Sequence, residues 1–169
     1  MDYYWRNLSL NDQKEILARI SDSMLIRNIS YFQSNNFDLK YSLSVLLPEP
    51  RFTRIVNQLS DEKLIDLKDV ENSKIISILK SRVVKMRVVD LVDMCDKNII
   101  SKNEFKYYLC CRNIDYILSA DRYITTDSSY YYMLIDKVTT RADYVKVAQY
   151  FSEHKILQGY LELLRKEKG

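Results

Sequence analysis

The sequence predicts an all-α fold, built either as two small six-helix units or as one continuous helical bundle, and three observations lead there. Apolar residues recur at i, i+3 and i+4 along most of the 169 residues, the spacing that gathers them on one face of a helix. Only two Gly and two Pro are present, so the chain lacks the turn punctuation of a many-stranded sheet. Ser or Thr followed three residues later by an acid, the capping-box pattern, precedes several apolar runs. With 47% hydrophobic residues the chain has enough apolar surface to build a core.

The elements follow in order. NDQKEILARI, residues 11–20, sets Ile16, Leu17 and Ile20 on one face, with Asn11 or Asp12 as its cap. MLIRNISYFQ repeats Leu25, Ile29 and Phe32 at helical spacing, and Asn35-Asn36 interrupts the pattern. In FDLKYSLSVLL the inward positions are Phe37, Leu39, Leu43 and Leu46 or Leu47. That helix stops at Pro48-Glu49-Pro50, because a residue before proline disfavours the helical region. RFTRIVNQL presents Phe52, Ile55, Val56 and Leu59, and Ser60 is placed to cap DEKLIDLKDV.

From Asn72 to Asp96 no breaker occurs, which predicts one long helical region with Val84, Val88, Leu91 and Cys95 on a core-facing stripe. The β-branched density around Val83, Val84, Val88 and Val89 lowers helix propensity and favours a bend there. Asn98 ends the region, and Ser101-Lys102-Asn103-Glu104 forms a capping box for a helix carrying Phe105, Tyr108 and Leu109. CRNIDYILSADRYI reads as a helix or two short turns, and TTDSS as a loop. YYYMLIDKV is a helix in which one or two of Tyr130, Tyr131 and Tyr132 are buried and at least one faces out. Thr140 to Asp143 opens a helix with Tyr144, Val147, Ala148 and Phe151 on one side. The last helix, HKILQGYLELLRKE, carries Ile156, Leu157, Tyr160, Leu161 and Leu164, and its cations suit the negative end of the helix dipole. The order of segments divides the chain at about 8–71 and 72–169, and a single domain is the alternative.

One stretch carries segregated charge. KSRVVKMR, Lys80 to Arg87, holds four cations and no acid, and the nine residues that follow hold Asp90, Asp93 and Asp96. Lys80, Arg82, Lys85 and Arg87 form a basic set; Asp90, Asp93, Asp96 and Glu104 form an acidic one. Either the sets are solvated helix faces or they are docking surfaces, which speed encounter and fix register more than they add affinity. Arg82 and Lys85 sit three residues apart and repel within a helix, so local stability does not account for the pattern.

Catalytic, cofactor and metal roles are not indicated. Cys95, Cys110 and Cys111 have no CxxC spacing and one histidine, His154, in the whole chain, which suggests free buried thiols in a reducing compartment. His154 reads as a surface residue near a helix start, and Trp5 as a latch near the amino terminus. The net charge of +3 is small for a nucleic-acid binder. No apolar run approaches the length of a membrane span, and MDYYWRNLSL lacks a signal-peptide pattern, so a cytoplasmic protein is expected. Fourteen Tyr among abundant Ile, Asn, Asp and Lys is a composition found in products of AT-rich genomes, including many large DNA viruses.

VVDLVDMCDKNIISKNEFKYYL resembles the second and third helices of the death-fold superfamily, the six-helix bundles of apoptotic and inflammatory adaptors, in its caspase-recruitment (CARD) branch. SSYYYMLIDKVTTRADYVKVAQYFSEHKILQGYLELL looks like helices four to six, and ARISDSMLIRNISYFQSNNFDLKYSLSVLLPEPRFTRIVNQL is similar to the opening four helices of a second copy. Ala142 stands where the family usually has Gly, and CRNIDYILSADRYITTD is an extra segment that suits a death-effector-like arrangement. The resemblance implies a non-enzymatic protein–protein interaction module. Such a module would be an adaptor or decoy in apoptotic or innate immune signalling that binds a death-fold protein through the two charged sets and self-associates by the same means. A viral Bcl-type inhibitor of apoptosis or NF-κB signalling is the alternative from another fold. A nucleic-acid-binding or virion structural protein that uses the basic set and exposed tyrosines is the alternative from another class, and steep salt dependence of binding marks it.

Overall fold

The computed structural model describes residues 7–30, 41–67, 70–121 and 128–169. Trp5, Phe32, Asn35, Asn36, Phe37 and Leu39 lie outside the described residues, as does most of the TTDSS loop. Among the described residues there are twelve α-helices and no strand, so the fold is all-α. α1 (Leu10–Arg19), α2 (Asp22–Arg27), α3 (Leu43–Leu46), α4 (Glu49–Gln58), α5 (Asp61–Ile65) and α6 (Ser73–Arg82) run into a 3-10 turn at Val83–Lys85. α7 (Val88–Asp96), α8 (Lys102–Cys110), α9 (Ile114–Ser119), α10 (Ser128–Lys137), α11 (Arg141–Glu153), a 3-10 turn at Lys155–Leu157 and α12 (Gln158–Lys168) complete the chain.

The chain forms two compact units, Met1–Met86 with Asp96–Ile99, and Arg87–Cys95 with Ile100–Gly169. The crossing lies at Met86/Arg87 rather than at 71/72, because α6 packs on α4 and α5 and so belongs to the first unit. The long helical region expected over 72–96 breaks at Met86, whose backbone is extended (φ −67°, ψ 144°). The β-branched residues on either side, poor helix formers, fit that break.

Helix starts follow the side chains that can cap them. Ser21, Ser60, Asn72 and Asn113 each accept a backbone N–H of the first turn, and Ser9, Ser101 and Thr140 make reciprocal capping boxes. The first cap is therefore Ser9, and Asp12, expected as a cap, is its acidic partner at the third helical position. Pro48 takes the N-cap of α4 and Pro50 its first turn, where a missing N–H costs nothing.

Helix ends are less conventional. Glycine is the usual means of reversing the chain after a helix, and this chain has two. Ile20, Leu47, Leu59 and His154 instead leave their helices in extended conformation. Cationic side chains take up carbonyls at the ends of α1, α4 and α5. Arg51 donates to Leu17 O at 2.7 Å and also to Ile20 O, Arg82 to Leu59 O (2.7 Å) and Asn57 O (2.9 Å), and Lys97 to Ile65 O (2.9 Å). Asn98, at φ 57°, supplies the left-handed turn after α7; asparagine tolerates that region better than other residues with a Cβ.

In the first unit α1 packs on α3, α2 on α4, α3 on α4, and α6 on α4 and α5. Leu17, Leu25, Ile55, Val56, Leu64 and Leu79 are fully buried there. Asp22 is clamped by Arg51 Nε (2.8 Å) and Arg54 Nε (2.7 Å), and Glu49 pairs with Lys74. Hydrogen bonds from Arg51 and then Arg54 hold the Asp22 carboxyl below its ordinary value, and Lys74 does the same for Glu49. A folded-state pKa that is depressed adds stability above the unfolded value of about 4, and that stability is lost as pH falls through the folded value. The first unit is accordingly expected to lose helicity in acid below about pH 4. Far-UV circular dichroism of wild type against Asp22→Asn checks this: the variant should show the shallower acid loss, and identical curves would contradict it.

In the second unit α10 packs on α8, α9, α11 and α12. Tyr130, Tyr131, Leu134, Ile135 and Val138 line its buried side, with Val147, Phe151, Leu157, Leu161 and Leu164 packed around them. The Tyr130 hydroxyl donates to Ile117 O and the Tyr150 hydroxyl to Asp121. Burial first, and the Asp121 carboxylate second, push both phenols well above the ordinary tyrosine range.

Two expected core positions face solvent instead. Val84 is 73% exposed because the 3-10 turn rotates it off the α6 stripe, and Ile156 is 84% exposed in the 3-10 turn before α12. Val88 and Cys95 are half-buried, so of the proposed stripe Leu91 alone is core.

Candidate functional site

The eight charged residues singled out from the sequence fall in both units. Lys80, Arg82, Lys85 and Asp96 belong to the first, and Arg87, Asp90, Asp93 and Glu104 to the second. Arg82 is a brace: besides the two carbonyls at the end of α4, its Nη1 reaches Asp61 Oδ1 at 3.2 Å. Arg87 and Asp90, assigned to opposite sets, bind each other through Nε–Oδ2 (2.8 Å) and Nη2–Oδ1 (2.9 Å) within one turn. The Asp90 side chain is 4% exposed, so it is a buried carboxylate neutralised in place. Glu104 closes the capping box with Ser101. Lys80 and Asp93 are half-buried and Lys85 and Asp96 exposed. Arg82 and Lys85 do meet at a cleft of ≈540 Å³ in the first unit, lined also by Ser60, Asp61, Ser81 and Val84.

The Arg87–Asp90 pair makes a direct prediction. Arg87→Ala leaves the Asp90 carboxylate buried without its guanidinium and is expected to cost the second unit about 1–3 kcal/mol. Urea denaturation measures it, and a midpoint equal to wild type would show that Asp90 has another adequate partner.

The cysteines and the histidine also take different places from those expected. The cysteines are free thiols, but Cys110 and Cys111 are exposed and Cys95 is half-buried. α8 buries Phe105 and Leu109 and ends at Cys110, which lies off that stripe. His154 is the C-cap of α11, half-buried, with Nδ1 2.8 Å from Tyr150 O and its ring against Tyr150. Among the described residues no group of three or more His, Cys, Asp or Glu is placed to hold a metal ion, and no helix is long and apolar enough to cross a membrane.

The surface feature that the sequence pattern indicated only through an outward tyrosine lies on the outer side of α10. Ser129, Tyr132, Met133, Asp136 and Lys137 follow the i, i+3, i+4, i+7, i+8 spacing, opposite the buried Tyr130, Tyr131, Leu134, Ile135 and Val138. With Cys110 from the end of α8 these five side chains line a groove of ≈430 Å³. Tyr132 is 52% exposed, and its ring stands edge-on to Tyr160 of α12 at 5.5 Å. Tyr107, one turn before Cys110 on α8, is 65% exposed. The side chains of Asp136 and Lys137 form no ion pair or hydrogen bond among the described residues, unlike Lys146, which pairs with Asp115 at 2.7 Å.

Chemically the groove offers one aromatic ring, a thioether, a thiol, a hydroxyl and one charge of each sign. Aromatic and methionine side chains flanked by polar ones are the composition of protein-binding surfaces: the rings give large contact area and methionine adapts its shape. A second helical stripe in YYYMLIDKV, offset from the core stripe, is the signal that points to it in the sequence. No protein-family model matches the chain, and it matches no curated protein and no solved structure.

Proposed function

We propose that the chain is a non-enzymatic helical interaction module of the cytoplasm, an adaptor or decoy in apoptotic or innate immune signalling, which captures a protein partner through the α8–α10 groove. The observation that carries this reading is the outward stripe of α10, where Tyr132 is exposed and the half-buried Met133 lines the groove beside it, on a helix whose other side is the core of its unit. Accessible aromatic and apolar side chains grouped beside polar ones mark interaction surfaces. In the death-fold resemblance α7 and α8 stand as the second and third helices and α10–α12 as the fourth to sixth, with α9 in the extra segment, and exposed free thiols fit a reducing compartment.

The experiment is expression of the chain in cultured cells challenged with an apoptotic stimulus, read as executioner caspase activity. The wild type is expected to change that activity severalfold relative to an empty vector, and Tyr132→Ser with Met133→Ser to abolish the change at equal protein level and wild-type helicity. A wild type without effect, or a double variant as active as wild type, would remove this reading. Lys85→Glu serves in the same assay to ask whether the exposed cation of the first-unit cleft adds to capture.

A further inference from the structure

We infer that the occupant of the α8–α10 groove is a second copy of the same chain, docked about a two-fold axis that runs alongside α10, between the two copies of that helix. This rests on the proposed role of the groove as a protein-binding surface and names its partner. In a two-fold contact residue i of one copy meets residue j of the other and j meets i, so the surface must be complementary to itself. The groove meets that condition: Tyr132 and Met133 supply an apolar centre, and Asp136 and Lys137 stand side by side at its rim.

Neither of these two charges has a partner within the chain among the described residues. Two copies brought together on α10 pair Asp136 of each with Lys137 of the other, giving two symmetric ion pairs one turn along from the rings. A partner of uniform charge satisfies only one of the two groups and opposes the other. The rim pairs are exposed and set orientation, and the apolar centre provides the attraction.

Sedimentation equilibrium of the full chain, from micromolar to millimolar, tests this. The wild type should shift from monomer to dimer with rising concentration, and Tyr132→Ser with Met133→Ser should stay monomeric. Asp136→Lys alone and Lys137→Asp alone should each weaken the dimer about tenfold, since each variant places like charges across the axis twice. The double exchange Asp136→Lys with Lys137→Asp rebuilds the opposite-charge pairs and should restore the wild-type dimer. That rescue separates a two-fold contact from general loss of structure.

A wild type that is monomeric throughout overturns the inference, as does a dimer indifferent to both the serine variant and the single exchanges. If the chain is monomeric while the serine variant still loses its cellular effect, the second copy is excluded and capture of a different protein stands. If the chain dimerises as described while that variant keeps its cellular effect, self-association stands and the signalling role of the groove does not.

Discussion

Phe151→Ala is expected to destabilise the second unit by about 3–5 kcal/mol, the range for removing a large aromatic side chain from a closed core. Phe151 is fully buried on α11. Its ring lies 6.2 Å from Tyr131 in an edge contact, 5.7 Å from Tyr150 and 6.0 Å from Tyr160. These contacts join α10, α11 and α12, so the cavity left by alanine cannot close without moving three helices. Edge and tilted ring contacts add to the area term, which places the cost toward the upper end of that range. Val145→Ala on the outer face of the same helix is the control, with an effect within about 0.5 kcal/mol. Urea denaturation followed by far-UV circular dichroism measures both; a Phe151→Ala midpoint equal to that of Val145→Ala would contradict the packing described.

The second large effect is expected from Arg82→Glu, and it lies in the first unit. The guanidinium holds two carbonyls at the end of α4 and the Asp61 carboxylate at the start of α5. A glutamate there satisfies none of these acceptors and adds repulsion against Asp61. With the Arg82 side chain 30% exposed, water replaces part of what is lost, and the expected cost is about 2–4 kcal/mol. Lys85→Glu, three residues on and exposed, should leave melting unchanged. The pair of variants separates structural charge from surface charge in a stretch where the sequence presents them alike. If Arg82→Glu melts as wild type does, the brace is not a source of stability.

The helix starts were legible because their signals are local. Ser60, Ser101 and Thr140 stand directly before the helices they cap, and each cap is completed by a backbone N–H three residues away. The ends of α3 and α7 were read from Pro48 and Asn98, but those of α1, α4 and α5 were not, because in a glycine-poor chain the groups that satisfy the last carbonyls come from distant residues: Arg51 acts on Leu17 and Ile20, Arg82 on Asn57 and Leu59, and Lys97 on Ile65. No spacing rule connects these positions. The same limit explains the charged stretch at Lys80 to Asp96. Its segregation along the chain is real, but Arg82 and the Arg87–Asp90 pair take part in packing and internal neutralisation that only the folded chain assembles.

Val84 and Ile156 show a second limit. Both keep helical spacing with core residues, and both are turned outward by a single 3-10 turn, which changes the angle per residue from that of an α-helix. The candidate groove was half legible. That one of Tyr130, Tyr131 and Tyr132 must face out follows from their being consecutive; that it is Tyr132, with Met133 and Cys110 beside it, depends on how α10 packs against α8, α9, α11 and α12.

The central claim, that the α8–α10 groove is covered by protein when the chain works, is tested most directly by the two adjacent thiols. Cys110 lines the groove and Cys111, also exposed, does not. Alkylation with a small maleimide, resolved at the two positions by fragment-ion mass spectrometry, compares dilute purified protein with intact cells expressing the chain. Occupation of the groove predicts that Cys110 reacts more slowly relative to Cys111 in cells than in dilute solution. A Cys110 to Cys111 ratio that is the same in both would contradict it.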